Sequence, residues 1–357
     1  MATTAHPPTT ADSPSKLVAI VLGLTAMVAL MLLAFAAPAL HSGPEELPLA
    51  VSGPEPATSQ VTAALDEQVP GAFDVTTYAT EQEAAEAITD REAIGGIAVG
   101  PKGVTVQTAS GAGAAYVQLL KGVGAGLEKS GQKVTYVELA PTTTDDPQAV
   151  GVSTLGLPLV FGGMATAALL LLVYKGSTLM RFVGATTLAL LAGFVSAAIL
   201  QLGFDALDGS YWLTSLSISA GILAISATVL GLGTLLGTPG IGIGALTMLF
   251  VANPLSGLAN GPDWLPGVWG PIGQLLPVGA AGSLVRSVAF FDGGGATSHL
   301  VVLACWIVGG VALAGLGVAR QGRGAHIAAA EREGALASAR ASPRLCVQLV
   351  ALRAGPR

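Results

Sequence analysis

The sequence predicts an α-helical polytopic membrane protein: six transmembrane helices, with a small α/β extracytoplasmic domain between the first and the second. Three observations lead there. Of 357 residues, 52% are apolar and only 11% are charged, where a soluble domain carries about 25% charged residues. Glycine supplies 48 residues, well above the usual ~7%, and small residues are what lets membrane helices approach closely. Apolar stretches free of Asp, Glu, Lys, Arg and His recur at close to the roughly 20 residues that a 30 Å hydrocarbon core demands. So few charges cannot cover a water-exposed surface of ordinary size, which excludes a purely soluble globule.

Taken in order, residues 1–16 form a short N-terminal tail ending at Lys16, and residues 17–40 are the first span. Its apolar run exceeds the 7–15 residues of a signal-peptide core, so it reads as an uncleaved anchor. Residues 41–150 are a different material, with fifteen acidic and five basic residues and no long apolar run. Short β-type runs at Pro48–Val51, Phe73–Tyr78, Ile94–Val99, Val104–Gln107 and Val134–Leu139 alternate with helical composition at Ser59–Gln68, Glu81–Arg91 and Ala114–Leu127. That alternation predicts an α/β layer domain. The acidic side chains Glu81, Glu83, Glu86 and Asp90 read as a solvated helix face, and Asp145-Asp146-Pro147 as a linker turn.

Residues 151–319 hold five further spans, at about 152–173, 182–203, 213–236, 241–258 and 300–319. A short Gly237-Thr238-Pro239-Gly240 turn makes the third and fourth of these an antiparallel hairpin. Residues 259–298 are apolar but too broken by Gly and Pro to span. They read as an interfacial or re-entrant hairpin, marked by Asn253, Pro254, Trp264, Trp269 and Arg286, with the tryptophans at headgroup level and Arg286 towards water. Residues 320–357 are a basic tail with seven arginines against Glu331 and Glu333. With both termini cytoplasmic, ten Lys and Arg residues fall inside, while the short outside segments hold one, Arg286, as the positive-inside rule requires.

The search for chemistry excludes more than it finds. Ion-coupled transporters carry ionisable groups within their spans, and these spans have none. No GxxxxGK[ST] loop is present to cradle a nucleotide, so ATP energy has to arrive on a separate chain. Gly151-Val152-Ser153-Thr154-Leu155-Gly156 misses the nucleophile elbow by one residue, and the four histidines lie far apart in the sequence. The reading is therefore a non-enzyme with no catalytic, metal or cofactor residues and no nucleic-acid partner. Ser215, Ser219 and Ser226 share a face of the 213–236 span and form the candidate translocation path, with interhelical hydrogen bonding as the competing account. The basic tail suits anionic lipid or a cytosolic subunit.

Several segments resemble a known family. They are Leu47-Pro48-Leu49-Ala50-Val51, Thr89 to Gly96 and Asp145-Asp146-Pro147. Further along come Asn253-Pro254-Leu255-Ser256-Gly257, Leu265 to Gly270, Gly273 to Pro277, Arg286-Ser287 and Phe290 to Gly293. Together with one anchor, an outside domain and five further spans, this layout resembles the permease subunits of bacterial ABC type-2 exporters, in the branch of phage-infection-protein-like membrane proteins. The resemblance implies a bacterial cell-membrane subunit, homodimeric or paired with a related permease. It would work with a separate ATP-binding subunit to export a lipid, drug or glycoconjugate. The alternative from a different class is a non-transporting envelope protein whose extracytoplasmic domain serves as receptor or assembly factor.

Overall fold

A computed structural model describes residues 14–341. The start of the N-terminal tail and residues 342–357 of the basic tail lie outside the described residues. The chain is mostly helical, with one small sheet. Among the described residues, five helices are long and apolar enough to cross a bilayer: Pro14–His41, Val150–Leu172, Thr178–Gly203, Tyr211–Leu236 and Ala296–Arg323. The protein is thus built for a membrane, in several passes.

The sheet lies between the first and second of these helices. Its strands β1 (Leu47–Ser52), β2 (Phe73–Tyr78), β3 (Gly96–Gly100), β4 (Gly103–Thr108) and β5 (Val134–Glu138) are ordered β2-β1-β3-β4-β5. Only the β3–β4 pair is antiparallel, joined by the tight Gly100–Gly103 turn. The other pairs are parallel and need crossovers. Those are supplied in chain order by α2 (Glu55–Gln68), α3 (Glu81–Thr89) and α4 (Ala114–Lys129), after the first helix α1 (Pro14–His41). Leu49, Val51, Ile97, Val104 and Val106 alternate onto a face that packs against Val61, Leu65, Leu120 and Leu127. The strand and helix positions agree with the period-two and helical patterns in the sequence.

After α5 (Val150–Thr154) and α6 (Gly156–Leu172), α7 (Thr178–Ala197) continues as a π-helical stretch, Ala198–Gly203. The central element is α8 (Tyr211–Leu236), packed by α6, α7, the short α9 (Thr238–Leu246) and two later helices, α11 (Pro277–Phe290) and α12 (Ala296–Ala341). Such burial on all sides selects small residues. Gly193 of α7 lies on Ser219 and the Ser215 carbonyl, Gly163 of α6 on Ile225, and Gly310 of α12 on the Ala227–Thr228 backbone. Gly310 and Gly317 are seven residues apart, so both face α8, and Gly317 meets Thr234. Gly309, one position round the helix, has open space beside it.

Three expectations are adjusted here. The 241–258 span is a shorter apolar helix, Thr238–Ala252. It is π-helical over Thr247–Ala252 and stops where Asn253-Pro254 removes the ladder. Its start packs on Leu232 and Val229 of α8, while Asn253 reaches Gly156 at the opposite end of the bundle. The tight connection from α8 is Gly237 alone, at φ 74°. Asp146, read as a linker residue, is buried and accepts hydrogen bonds from the Val150 and Gly151 amides (2.8 and 2.6 Å), capping α5. Finally, the last helix does not end at Arg320 but runs on to Ala341.

The α8–α12 contact gives a matched pair of substitutions. Gly310→Leu forces side-chain atoms into the α8 backbone, and overpacking of this kind costs typically about 1–3 kcal/mol. We expect a clearly lowered thermal midpoint for purified Gly310→Leu and a midpoint near wild type for Gly309→Leu.

Candidate functional site

The segment after Asn253-Pro254 builds the site. A 3₁₀ turn, Pro262–Trp264, leads to α10 (Trp269–Gln274), then α11 runs back and a turn through Gly293–Gly295 enters α12. Trp306 donates its indole N–H to the Leu275 carbonyl at 2.8 Å. Trp306 is ten residues into α12, and ten residues of helix rise about 15 Å. The α10–α11 connection therefore packs against α12 about that far from its start. Irregular backbone is tolerated at membrane depth only when protein covers it. Accordingly, nearly every residue of α11 is buried.

Arg286 is the largest side chain fully buried in the protein, with 2% of its surface exposed. The expectation that it faces water is overturned. Its guanidinium donates to the Gly111 carbonyl (Nη1, 2.8 Å) and to the Leu258 carbonyl (Nη2, 2.6 Å). One acceptor belongs to the sheet domain and the other to the loop before the hairpin. Gly111 and Gly113 allow the approach, since a Cβ at either would strike Phe290 or the Asn260 carbonyl. A buried charge demands such partners.

A second guanidinium crosses the same junction in the other direction. Arg91 follows α3 at the position where a helix usually ends in glycine. Its φ is 63°, its amide donates to the Ile88 carbonyl, and the Glu92 amide donates to the Ala87 carbonyl. This is a Schellman cap with arginine in the left-handed position, a conformation that costs a non-glycine residue about 1–2 kcal/mol. From there Nη1 of Arg91 donates to the Ser283 carbonyl (2.7 Å) and to Ser287 Oγ (2.8 Å), and the guanidinium lies over the Phe291 ring at 5.4 Å. Neither arginine forms an ion pair with a carboxylate among the described residues.

A third contact joins Tyr116 of α4 to Asp263. The phenol donates to Asp263 Oδ2 (3.2 Å) and accepts from the Asp263 amide (3.1 Å). The Tyr116 ring meets Trp264 edge-on, with centroids 5.8 Å apart. Burial pushes the Tyr116 phenol well above its ordinary range, and the neighbouring Asp263 charge pushes it further. Burial also raises the Asp263 carboxyl, against the hydrogen bond from Tyr116 and the charge of Arg91. Burial lowers the Arg91 guanidinium, opposed chiefly by Asp263. Between these groups lies a cavity of ≈ 340 Å³, lined by Arg91, Tyr116, Asp263, Gln274, Ser283 and His299 among others. Gln274 donates to the Ser256 carbonyl (3.0 Å), while its own side-chain oxygen is buried without a partner.

The residues singled out in the sequence divide unevenly over this geometry. Trp264, Asn253 and Pro254 line a second pocket of ≈ 270 Å³ with Phe35 and Pro38 of α1, and Trp269 opens α10 with its side chain exposed. Ser215, Ser219 and Ser226 are buried in α8, and each hydroxyl donates to a carbonyl of its own helix (Tyr211, Ser215 and Leu223). Arg91 and Tyr116 carried no site assignment. The signal for Arg91 is an arginine where Thr89-Asp90-Arg91 ends a helix, and the signal for Arg286 is its position as the lone base in an apolar run. Among the described residues no group of three or more His, Cys, Asp or Glu is placed to hold a metal ion. No protein family, curated protein or solved structure matches this chain.

Two outcomes follow from the junction. Arg91→Gly and Arg91→Ala both lose the guanidinium contacts, but alanine keeps the left-handed strain. Arg91→Ala should therefore be less stable than Arg91→Gly by about 1 kcal/mol, with both below wild type in denaturation of the purified protein. For Asp263, a raised folded-state pKa means the folded protein holds the proton more tightly than the unfolded chain. Stability then falls as pH climbs from the ordinary carboxylate value, about 4, through the raised one. The thermal midpoint of Asp263→Asn relative to wild type should accordingly grow as pH rises from 4 to 7. A difference that stays flat with pH would remove burial as the cause.

Proposed function

We propose that this chain is the membrane-spanning permease subunit of an ABC-type exporter, energised by a separate ATP-binding subunit. The observation that carries the reading is convergence. The segments that resemble such permeases are spread through the chain, yet most of them meet at one junction. Thr89 to Gly96 supplies Arg91, Asn253 to Gly257 and Leu265 to Gly270 flank Asp263 and Trp264, and Arg286-Ser287 and Phe290 to Gly293 hold the end of α11. Residues gathered this way serve a common architecture: an anchor, a domain outside the membrane, and a bundle with a re-entrant hairpin before its last helix.

In this reading the Thr238–Ala252 helix completes six crossings, and the Lys and Arg distribution puts both termini in the cytoplasm of a bacterial cell. The sheet domain is then extracytoplasmic. The subunit works as a homodimer or with a related permease, and a lipid, drug or glycoconjugate is the cargo. The basic end of α12 and the tail offer a cytosolic subunit its contact.

A second reading, a non-transporting receptor or assembly factor, draws on a groove of ≈ 900 Å³ between α2 and the free edge of β2, lined by Thr58, Leu65, Phe73 and Val75 among others. One experiment separates the two. The full-length chain is purified from its native membrane in mild detergent with cross-linking. An ATP-binding subunit is expected to accompany it in stoichiometric amount. Its repeated absence, with a different envelope protein in its place, would favour the receptor reading.

A further inference from the structure

The junction cavity has an unusual division of charge. On one wall, Arg91 uses only Nη1 within the protein, so Nε and Nη2 keep an unoccupied donor edge. Such an edge fits two oxygens of a phosphate or carboxylate. On another wall, Asp263 accepts from Tyr116 at Oδ2 and bonds no cationic side chain among the described residues. Asp90 and Glu92 stand at the same cavity, and the unpartnered oxygen of Gln274 lies beside it. Arg91 and Asp263 influence each other's charge but do not close into an ion pair. The space between them, ≈ 340 Å³, is in the range of small-molecule sites.

A plain anion would face three carboxylates, and a plain cation would face Arg91 with Arg286 behind it. We infer that the cavity binds a zwitterion of the phosphoethanolamine type, its phosphate on Arg91 and its primary ammonium on Asp263. Position favours phosphate over an amino-acid carboxylate. Tyr116, which lines the cavity, meets Trp264 edge-on, and tryptophan and tyrosine are the residues enriched at headgroup level. The loop that carries Asp263 also walls the apolar second pocket against α1, through Trp264 and Leu265. Headgroup and acyl chain thus find surfaces on either side of one loop. The inference stands on the cavity and does not require the export reading.

The test uses the wild-type full chain, purified in detergent and titrated calorimetrically with phosphoethanolamine, glycerol phosphate, ethanolamine and phosphocholine. Phosphoethanolamine should bind at least tenfold more tightly than the other three, because only it presents both a phosphate and N–H donors. Equal binding of glycerol phosphate would overturn the inference in favour of an anion site. A parallel arm reconstitutes the chain in nanodiscs of mixed phosphatidylethanolamine and phosphatidylglycerol and measures retained lipid by native mass spectrometry. Selective retention of phosphatidylethanolamine assigns the zwitterion to a lipid, and binding of the free compound without such retention assigns it to a soluble one. Failure of both arms overturns the proposal. Asp263→Asn should erase the preference for phosphoethanolamine over glycerol phosphate, and a preference that survived in the folded variant would equally overturn it.

Discussion

Arg286 is the constraint around which the two halves of the molecule are arranged. Ionised groups are rarely buried without compensation, and leaving one unpaired costs several kcal/mol. Here compensation comes from carbonyl oxygens, at Gly111 in the sheet domain and Leu258 ahead of the hairpin. Each backbone must therefore come within hydrogen-bonding distance of a point inside the bundle. That fixes glycine at 111 and 113, holds the 258–263 loop beneath α4, and sets the end of α11. Arg91 repeats the logic from the opposite side, with its donor in the sheet domain and its acceptors on α11. Hydrogen bonds with a charged partner contribute about 1.5–3 kcal/mol each. Three of them reach from the sheet domain to α11, across a boundary where Ile88, Ala93, Ala109 and Ala140 share an apolar cluster with Phe290 and Phe291.

Within the bundle the governing constraint is different. Lipid tails and leucine side chains are alike in polarity, so helices associate through close packing rather than exclusion from water. α8 is surrounded, and its neighbours reach it by presenting glycine. The serines and threonines on α8 are compatible with that crowding, because all but Thr214 return the hydroxyl to a carbonyl about one turn back. The helix then presents few unpaired polar atoms to its partners. Polar residues along a buried helix face are in this case part of the packing.

What the sequence made legible follows from the same physics. Uncharged runs of the right length mark most of the membrane helices, because hydrocarbon tolerates little else. Short β-type runs, Phe73–Tyr78 among them, located the strands. The 241–258 run was misjudged since apolarity continues past Asn253-Pro254, where the backbone ladder stops. Arg286 was misjudged because a lone arginine in a broken segment looks like a residue escaping to water. Its acceptors lie 175 and 28 residues away and are backbone atoms, so no residue type announces them. The role of Arg91 is hidden for a related reason: its partners, Ser283 and Ser287, lie 192 and 196 residues away.

These contacts also decide which parts of the protein can move separately. Parting the sheet domain from α11 would break three charged hydrogen bonds and the Arg91–Phe291 contact together, leaving Arg91 unpaired and Arg286 with the Leu258 carbonyl alone. Thermal energy, RT, is about 0.6 kcal/mol, and a loss of this size suppresses the separated state by many orders of magnitude. The sheet domain and α11 therefore behave as one body. By contrast, α1 buries no residue at all, and just after it the Gly43 amide donates to the Trp264 carbonyl at 3.1 Å. The Asp263 loop stands between them, with the charged cavity on one side and the pocket against α1 on the other. A movement that opens this end of the protein to the bilayer would cost least between α1 and the loop, where the Trp264 side chain forms the dividing wall.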